Sequence, residues 1–427
     1  SVLLRALCIV THMPTGSSAP EGAQRSSTPA LLVLAATAFV YVTAETLPVG
    51  LLPEMSGDLG VSEAAVGLLL TFYAYAVAVV TLPLMAAVRS WDRRTVVVGT
   101  AAALAVSQLV SAVAVGYPML VAARLICAAT HGVFWAVVAP VAASLVVPGR
   151  RGKAIALVYA GTSLALVAGN PLTSALGQWA GWRAAAATLG VIGVIITLAL
   201  ARLLPTLPSA PRAERHASGR RARVAPALIL LCGVTLLAVL GHFAGYTYFA
   251  LIVERALGST GGTVSVMLFV YGLAGVVGIW LIGRTYDRRP WLSSVVVLAT
   301  VTAAVGVLLL LLAVPTGATP VLAVAAIALW GLAFTTIPVC IQSAVLHSAP
   351  AGSADAYSAV YVVTFQVGIA TGALIGGGLV DALSIVAVLV FAVAVLIPAT
   401  VAVVAGRSAF PAPARASTPA TAPVSVP

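Results

Sequence analysis

Two ionisable side chains stand inside long apolar stretches of the sequence, where such groups are rare. Glu45 lies within the apolar run 31–53, and Arg124 lies within the run 118–147. A charged side chain at the centre of a bilayer costs about 2.5–3.5 kcal/mol on insertion scales, so it needs a counter-charge, a proton or a water-filled cavity. We therefore predict that Glu45 carries a proton or pairs with a cationic substrate. The alternative is a structural Glu45 that is protonated or hydrogen-bonded.

The helix around Glu45 contains a proline that frees a backbone acceptor close by. Pro48 has no N–H, so the carbonyl of Ala44, four residues earlier, loses its helical donor. Arg124 has two structural interpretations, a snorkelling side chain and a hydrogen-bond hub. His131 follows Arg124 by seven positions, or two helical turns, so both side chains share one face. Their shared face makes a coupling or substrate role possible for His131, and the alternative is a satisfied core residue.

Other polar and aromatic residues at helical spacing are suited to line a cavity for sugars or amphiphilic drugs. Asn170 and Pro171 follow Gly161 and Gly169 in one apolar run, and close helix packing is the alternative explanation of the glycines. Aromatic residues near helix ends, such as Tyr357, are explained equally well as anchors at the membrane interface. The predicted substrate-binding residues are Tyr41, Trp135, Asn170, His242, Tyr246, Gln342, Tyr361 and Gln366.

The composition indicates that membrane-spanning helices position these residues. Hydrophobic residues make up 61% of the 427 positions and charged residues 8%, against about 25% charged residues in soluble domains. This excludes a soluble enzyme and a disordered chain. A spanning helix needs about 20 mostly apolar residues. The apolar runs predict an all-α membrane protein with twelve transmembrane helices in two six-helix bundles, at 31–53, 62–88, 94–114, 118–147, 153–178, 184–204, 225–253, 262–284, 290–313, 320–347, 356–380 and 383–405.

A polar and basic break separates the first six spans from the last six. We predict a disordered cytoplasmic N-terminal tail at 1–30, an N-terminal bundle at 31–204 and a basic cytoplasmic linker at 205–224. A C-terminal bundle follows at 225–405, and a disordered cytoplasmic tail covers 406–427. The sequence begins at Ser1, and Met13 is an alternative start.

The distribution of basic residues predicts how the chain is oriented in the membrane. The 22 Lys and Arg residues exceed the 11 Asp and Glu residues by 11. With the N-terminus inside, 19 of the 22 fall in cytoplasmic tails and loops, Arg183 and Arg255 fall in outer loops, and Arg124 lies in a span. Cytoplasmic loops of membrane proteins collect Lys and Arg. We therefore predict a multi-pass protein of the cell membrane with both termini cytoplasmic, the lipid bilayer as its partner and no nucleic acid.

The two halves repeat two short sequence features. The loops after the second and eighth spans both contain Asp-Arg-Arg, with the Asp residues 287 − 92 = 195 positions apart. The pair Leu59 and Gly60 recurs as Leu257 and Gly258, 198 positions later. A six-plus-six repeat around a basic hinge is typical of a rocking transporter. The predicted cytoplasmic gating residues are Asp92, Arg93, Arg94, Gly283, Asp287, Arg288 and Arg289.

These loops resemble the signature loop of the major facilitator superfamily, G-x-x-x-D-R-x-G-R-R. The first copy departs from that pattern, since residues 83–86 read Pro-Leu-Met-Ala where the leading glycine is usual, and the second copy is nearer to it. The resemblance implies two six-helix bundles that alternate access to a midplane cavity, with these loops as cytoplasmic latches. It also implies a monomer that has no cofactor and uses the proton gradient.

Further stretches are similar to the drug:proton antiporter branch, and within it to bacterial sugar efflux transporters that export arabinose or IPTG. These stretches are 43–52, 124–135, 161–172 and 181–183. The resemblance implies proton-coupled efflux of sugars or related small molecules, with Glu45, Arg124 and His131 as the predicted proton-coupling group. A chloramphenicol or multidrug exporter of the same branch is the alternative, and a membrane sensor or an intramembrane enzyme is a remote one. The sequence contains no catalytic motif, so we expect no enzyme activity.

Overall fold

The protein is helical throughout the residues that the computed structural model describes, which are 21–146, 151–207, 226–259, 261–286, 288–314, 320–350 and 354–410. The helices of the N-terminal half are α1 (Glu21–Gly50), α2 (Leu52–Leu59), α3 (Glu63–Ala87), α4 (Arg93–Ala112), α5 (Tyr117–Ser144), α6 (Arg151–Leu164), α7 (Asn170–Ala180) and α8 (Trp182–Leu203). Those of the C-terminal half are α9 (Pro226–Tyr246), α10 (Phe249–Leu257), α11 (Gly262–Thr285), α12 (Pro290–Ala313), α13 (Pro320–Phe334), α14 (Ile337–Ser348), α15 (Ala354–Ala382) and α16 (Ile385–Ala405). This confirms the all-helical membrane architecture predicted from composition.

One predicted span is unwound locally. Eleven helical segments of the described chain are long and apolar enough to cross a membrane. The predicted span 153–178 is present as α6 and α7, joined by a π-helical turn at Ala165–Gly169. Pro171 has no N–H to offer the carbonyl of Val167, and its ring crowds the preceding turn, which is a recognised cause of such widening. The sequence therefore predicted where this span lies but not its irregular centre.

The repeated Leu-Gly pairs mark equivalent helix ends in the two halves. The short helices α2 and α10 end at Gly60 and Gly258, and both glycines have φ of 63°. Their N–H groups donate to the carbonyls of Ser56 and Glu254, which closes each helix. A left-handed residue at a helix end is usually glycine because it has no Cβ to clash. The internal repeat is therefore visible in backbone geometry as well as in sequence.

The outer end of the bundle, as the predicted topology orients it, carries α2 and α10. Arg183 forms a salt bridge with Asp58, and the indole of Trp182 donates to the same carboxylate oxygen at 2.9 Å. These hydrogen bonds hold the pKa of Asp58 below its usual value. Partial burial raises the pKa of Glu54, and the charge of Glu254 adds to this shift. The contacts of Asp58 tie α2 to the beginning of α8.

The two halves meet along α3 and α15 and along α7 and α11. Each half has its own large core of apolar side chains. Within the described residues, the hydrogen bonds between the halves lie between the outer end and the middle of the spans. One of them joins Ser265, near the beginning of α11, to the side-chain oxygen of Gln178 in α7 at 3.1 Å. This conformation is therefore closed at the outer end.

The helices extend beyond two of the predicted domain limits. α1 begins at Glu21, ten positions before the predicted first span. After α16, a short 3₁₀ turn at Arg407–Ala409 brings Phe410 into the C-terminal core, where it is 4% exposed. Most of the predicted linker and most of both predicted tails lie outside the described residues.

Candidate functional site

Arg124 of α5 binds the backbone of α1 beside Pro48. Its Nη1 donates to the carbonyl of Ala44 at 3.0 Å, and its Nη2 donates to the carbonyl of Glu45 at 2.7 Å. The Ala44 carbonyl is the acceptor that Pro48 leaves without a helical donor. Arg124 is 5% exposed, and its Nε has no hydrogen-bond partner among the described residues. The guanidinium is thus held by main-chain oxygens. Of the two structural interpretations of Arg124, these contacts correspond to the hydrogen-bond hub rather than to a snorkelling side chain.

The carboxylate of Glu45 is not engaged by Arg124 in this conformation. The side chain is half-buried, and no described residue forms a hydrogen bond or a salt bridge with it. It does interact electrostatically with Arg124, with the hydroxyl of Tyr73 and with the thiol of Cys127. An acid within a span, next to a cation that is bound elsewhere, is able to take up a proton without breaking an ion pair.

Tyr73 of α3 joins the predicted coupling residues and was missed by sequence reasoning. Its hydroxyl is hydrogen-bonded to Nδ1 of His131 at 2.8 Å and contacts the thiol of Cys127 at 3.5 Å. The guanidinium of Arg124 lies over its ring, 5.2 Å from the centroid, which is within cation–π range. Tyr73 therefore connects Arg124 and His131, two residues of α5 that lie two helical turns apart. Its one sequence signal is an aromatic hydroxyl within an apolar run, which does not reveal the face it occupies.

Two aromatic residues predicted to bind substrate flank His131. Tyr41 is 0% exposed, its ring stacks on Phe134 at 4.7 Å, and its hydroxyl donates to the carbonyl of Thr100 at 2.8 Å. Trp135 is half-buried, with its ring 6.0 Å from that of His131. Tyr41 is consequently a packing residue in this conformation, whereas Trp135 keeps a free surface.

Asn170, at the beginning of α7, faces both halves of the molecule. Its side-chain oxygen accepts a hydrogen bond from the hydroxyl of Thr46 in α1 at 2.7 Å. It also interacts with the hydroxyl of Tyr246 in α9, which is buried and completes no hydrogen bond within the described chain. Two predicted substrate residues thus meet across the boundary between the halves. The Tyr246 hydroxyl remains available as a donor to a polar ligand.

His242 lies at the centre of a cluster of aromatic rings in the C-terminal half. Its Nδ1 accepts a hydrogen bond from the indole of Trp330 at 3.0 Å. Its ring stacks on Phe334, with 3.2 Å between centroids, and on Tyr246, with 4.9 Å. Tyr271 closes the cluster, 5.1 Å from Tyr246. This arrangement provides a mostly aromatic wall with few hydrogen-bonding atoms.

The remaining predicted substrate residues lie on α14 and α15. The hydroxyl of Tyr361 and the side-chain nitrogen of Gln366 are buried without hydrogen-bond partners in the described chain. Gln342 donates to the hydroxyl of Ser358 at 3.4 Å. Unpaired buried polar atoms are costly unless a ligand or water satisfies them. Tyr361 and Gln366 are therefore better placed for ligand binding than Gln342.

The first predicted gating loop binds the beginning of the inter-bundle linker. Asp92 accepts a hydrogen bond from the N–H of Thr95 at 3.2 Å, which caps α4, and its other oxygen accepts from the N–H of Leu207 at 2.8 Å. The N–H of Arg93 donates to the carbonyl of Leu207 at 2.9 Å. Arg94 donates to a carbonyl near the end of α8. In this conformation these residues make contacts within the N-terminal half.

The second predicted gating loop is described only in part. Gly283 lies within α11, and Arg288 and Arg289 are exposed after its end. Their N–H groups donate to the carbonyl of Thr285 at 3.2 and 3.1 Å. Asp287 lies outside the described residues.

Tyr73→Phe is expected to lower the free energy of unfolding by about 1–3 kcal/mol, because it leaves Nδ1 of His131 buried and unpaired while the ring remains beside Arg124. Thermal unfolding in detergent measures this as a lower melting temperature. Tyr159→Phe is the matched control, since Tyr159 is 43% exposed and its hydroxyl has no described partner. Equal melting temperatures for the two variants would show that the hydrogen bond to His131 is not stabilising.

Comparison with known proteins gives a family model and close relatives. The model described as the Major Facilitator Superfamily matches residues 34–373. Two chloramphenicol efflux pumps of Mycobacterium tuberculosis, from strains CDC 1551 and H37Rv, are each 41% identical to this chain over 372 residues. The match covers 85% of this chain and 89% of each relative.

Solved structures show the same fold at low sequence identity. A bacterial homologue of the human lysosomal transporter Spinster, in an inward-facing and occupied conformation, has a TM-score of 0.68 at 14% identity, covering 92% of this chain and 97% of that one. A mutant of the nucleoside transporter NupG has a TM-score of 0.67 at 12% identity, covering 90% of this chain and 100% of that one. A human organic anion transporter has a TM-score of 0.65 at 16% identity, with 90% and 100% coverage.

Proposed function

This chain belongs to the Major Facilitator Superfamily and is a multi-pass secondary transporter rather than an enzyme, and from that premise we propose that it exports chloramphenicol or closely similar drugs in exchange for protons. The observation that carries the substrate is the 41% identity to chloramphenicol efflux pumps over most of both chains. The sequence alone favoured sugars, with chloramphenicol exporters as the alternative. The relatives favour that alternative.

The chemistry of the candidate site supports a drug of this class. Chloramphenicol is uncharged and combines a nitrophenyl ring with two hydroxyls and an amide. The rings around His242 offer a flat apolar surface, while the hydroxyls of Tyr246 and Tyr361 and the amide of Gln366 offer unsatisfied polar atoms. A few placed polar groups in an aromatic pocket are typical of small-molecule sites. A sugar would need many more hydrogen-bonding side chains.

An uncharged substrate leaves Glu45 free for the proton. In this proposal Glu45 is not a counter-charge for the drug, because the drug has none. It takes a proton from the outer side and releases it to the cytoplasm as the halves exchange access, while Arg124 and His131, through Tyr73, hold the surrounding network. Both termini face the cytoplasm, the protein works as a monomer in the cell membrane, and the proton gradient replaces any cofactor.

The proposal is tested by substrate retention in intact cells. Cells that express the protein are expected to retain up to about tenfold less chloramphenicol than cells without it, because a coupled pH difference of one unit by itself supports a drug gradient of at most tenfold. Arabinose and IPTG are expected to be retained equally by both. Equal chloramphenicol retention, with the protein present in the membrane, would refute the drug assignment, and lower arabinose retention would restore the sugar assignment.

A further inference from the structure

The side chain of Tyr248 crosses from one half of the molecule into the other. Tyr248 belongs to the C-terminal half, in the two-residue break between α9 and α10, yet it packs in the core of the N-terminal half and is 0% exposed. Its hydroxyl donates to the carbonyl of Ala373 in α15 at 3.3 Å. At the equivalent position of the N-terminal half, 198 residues earlier, the residue is Gly50. Gly50 is the last residue of α1 and the break after it holds Leu51, so an aromatic side chain at this break is present in the C-terminal half only.

Three glycines make the space that Tyr248 occupies. A Cβ on Gly67 of α3 would lie 2.9 Å from Cε1 of Tyr248 and closer still to its hydroxyl. On α15, a Cβ on Gly377 would lie 2.6 Å from that hydroxyl, and one on Gly376 would lie 3.0 Å from Cε2. Separations under 3.0 Å require something to shift. The tyrosine therefore fits only because Gly67 and Gly377 carry no side chain, whereas a Cβ on Gly376 would crowd its ring and lie 2.6 Å from the carbonyl oxygen of Ala244.

We call the space between Gly67, Gly376 and Gly377 the glycine slot, and its walls come from both halves of the protein. Gly67 belongs to the N-terminal half, whereas Gly376 and Gly377 belong to the C-terminal half. Around the slot, the hydroxyl of Ser62, at the beginning of α3, donates to Asp381 of α15 at 3.2 Å. Deeper along α3, Thr71 and Tyr75 form hydrogen bonds with α15. The slot is therefore part of the contact that closes the outer end, and separating the halves there removes one of its walls.

We propose that Tyr248 is the gate residue of the outer end. Seated in the slot of Gly67, Gly376 and Gly377, it stabilises the conformation that is closed to the outside. When the halves separate at this end, α3 moves away with Gly67, and Tyr248 leaves the N-terminal core. The proposal rests on the alternating access included in the proposed function, but it is independent of which substrate is carried.

The test measures access to the outer end without any substrate. Ala64, in the first turn of α3 beside Gly377, is 6% exposed, so a cysteine in its place is covered when the outer end is closed. Intact cells carrying full-length Ala64→Cys protein are treated with a membrane-impermeant maleimide, and the parent chain with its four cysteines gives the background. Adding Gly67→Ala is expected to raise the labelling rate about tenfold, which corresponds to ~1.4 kcal/mol against the closed conformation, within the cost of overpacking.

A double substitution separates the gate from a general loosening of α3. Tyr248→Leu alone is expected to raise labelling less than Gly67→Ala, because it empties the slot without blocking closure. The combination of Gly67→Ala with Tyr248→Leu is expected to label at the rate of Tyr248→Leu alone, since the clash is gone. Gly99→Ala, at a glycine with open space around it, is the matched control and is expected to label like the parent.

The outcomes decide the proposal whether or not every variant folds. Unchanged labelling in both Gly67→Ala and Tyr248→Leu would overturn it, and so would additive effects in the double variant. If Gly67→Ala does not reach the membrane, Tyr248→Phe is tested in its place. The phenylalanine ring still fills the slot, so this variant is expected to be labelled at a rate within about twofold of the parent. Tyr248→Leu is expected to be labelled faster. If the labelling results are as expected but chloramphenicol retention is unchanged, the gate proposal is supported and chloramphenicol is refuted as the substrate.

Discussion

Glu45→Gln is expected to abolish chloramphenicol transport driven by a pH gradient while leaving the protein in the membrane and able to bind the drug. The substitution keeps the size and polarity of the side chain and removes the proton that it carries. Transport against a drug gradient is expected to fall at least about tenfold, which corresponds to ~1.4 kcal/mol or more lost from the coupled step. Reconstituted liposomes with an imposed pH difference measure this directly.

Two controls make that result specific to coupling. Exchange of labelled for unlabelled drug requires no net proton movement, so Glu45→Gln is expected to retain it at a rate within about threefold of the parent. Glu254→Gln makes the same chemical change at an exposed position of the outer end and is expected to transport normally. Loss of exchange together with loss of gradient-driven transport would instead assign Glu45 to drug binding or to structure.

Arg124→Lys is expected to reduce transport at least about tenfold, because one ammonium group cannot make both backbone contacts of the guanidinium fork. Arg124 donates at once to the carbonyls of Ala44 and Glu45, at 3.0 and 2.7 Å, and lies over the ring of Tyr73. Losing one charge-assisted hydrogen bond in a buried site costs about 1.5–3 kcal/mol. Drug uptake into inverted membrane vesicles, corrected for the amount of protein, measures the effect.

The control for Arg124 is an arginine with a similar ring contact at the membrane surface. Arg284 lies 3.6 Å above the ring of Trp280 and is exposed. Arg284→Lys is expected to transport within about twofold of the parent, since exposed charges contribute little. If Arg124→Lys also transports at that level, the fixed contact between α5 and α1 is not required for the transport cycle.

Sequence patterns predicted those parts of the structure that depend on neighbours in the chain. Pro48 was expected to free the carbonyl of Ala44, and Arg124 donates to that carbonyl. The repeated Leu-Gly pairs were expected to mark a duplication, and Gly60 and Gly258 end equivalent helices with the same φ. Each of these inferences rests on backbone chemistry within four residues, or on repetition.

Contacts between distant helices were not predictable in the same way. Tyr73 and His131 lie on different helices, 58 positions apart, and no spacing rule joins them. In the sequence, Tyr248 is not distinguishable from other aromatic residues near helix ends, because the glycines that surround it are brought together only by helix packing. The π-helical turn before Asn170 and the helix α7 after it pack against α11, a contact between the halves that the proline alone does not predict.

Direct detection of the exchanged proton tests the central claim, which is that proton entry at Glu45 drives drug export. Liposomes containing the protein and a trapped pH indicator are given an outward chloramphenicol gradient with no initial pH difference. The proposed antiport predicts acidification of the interior as the drug leaves, and no acidification with Glu45→Gln although exchange of the drug persists. Drug efflux without any pH change in the unsubstituted protein, or acidification that persists in Glu45→Gln, would contradict it.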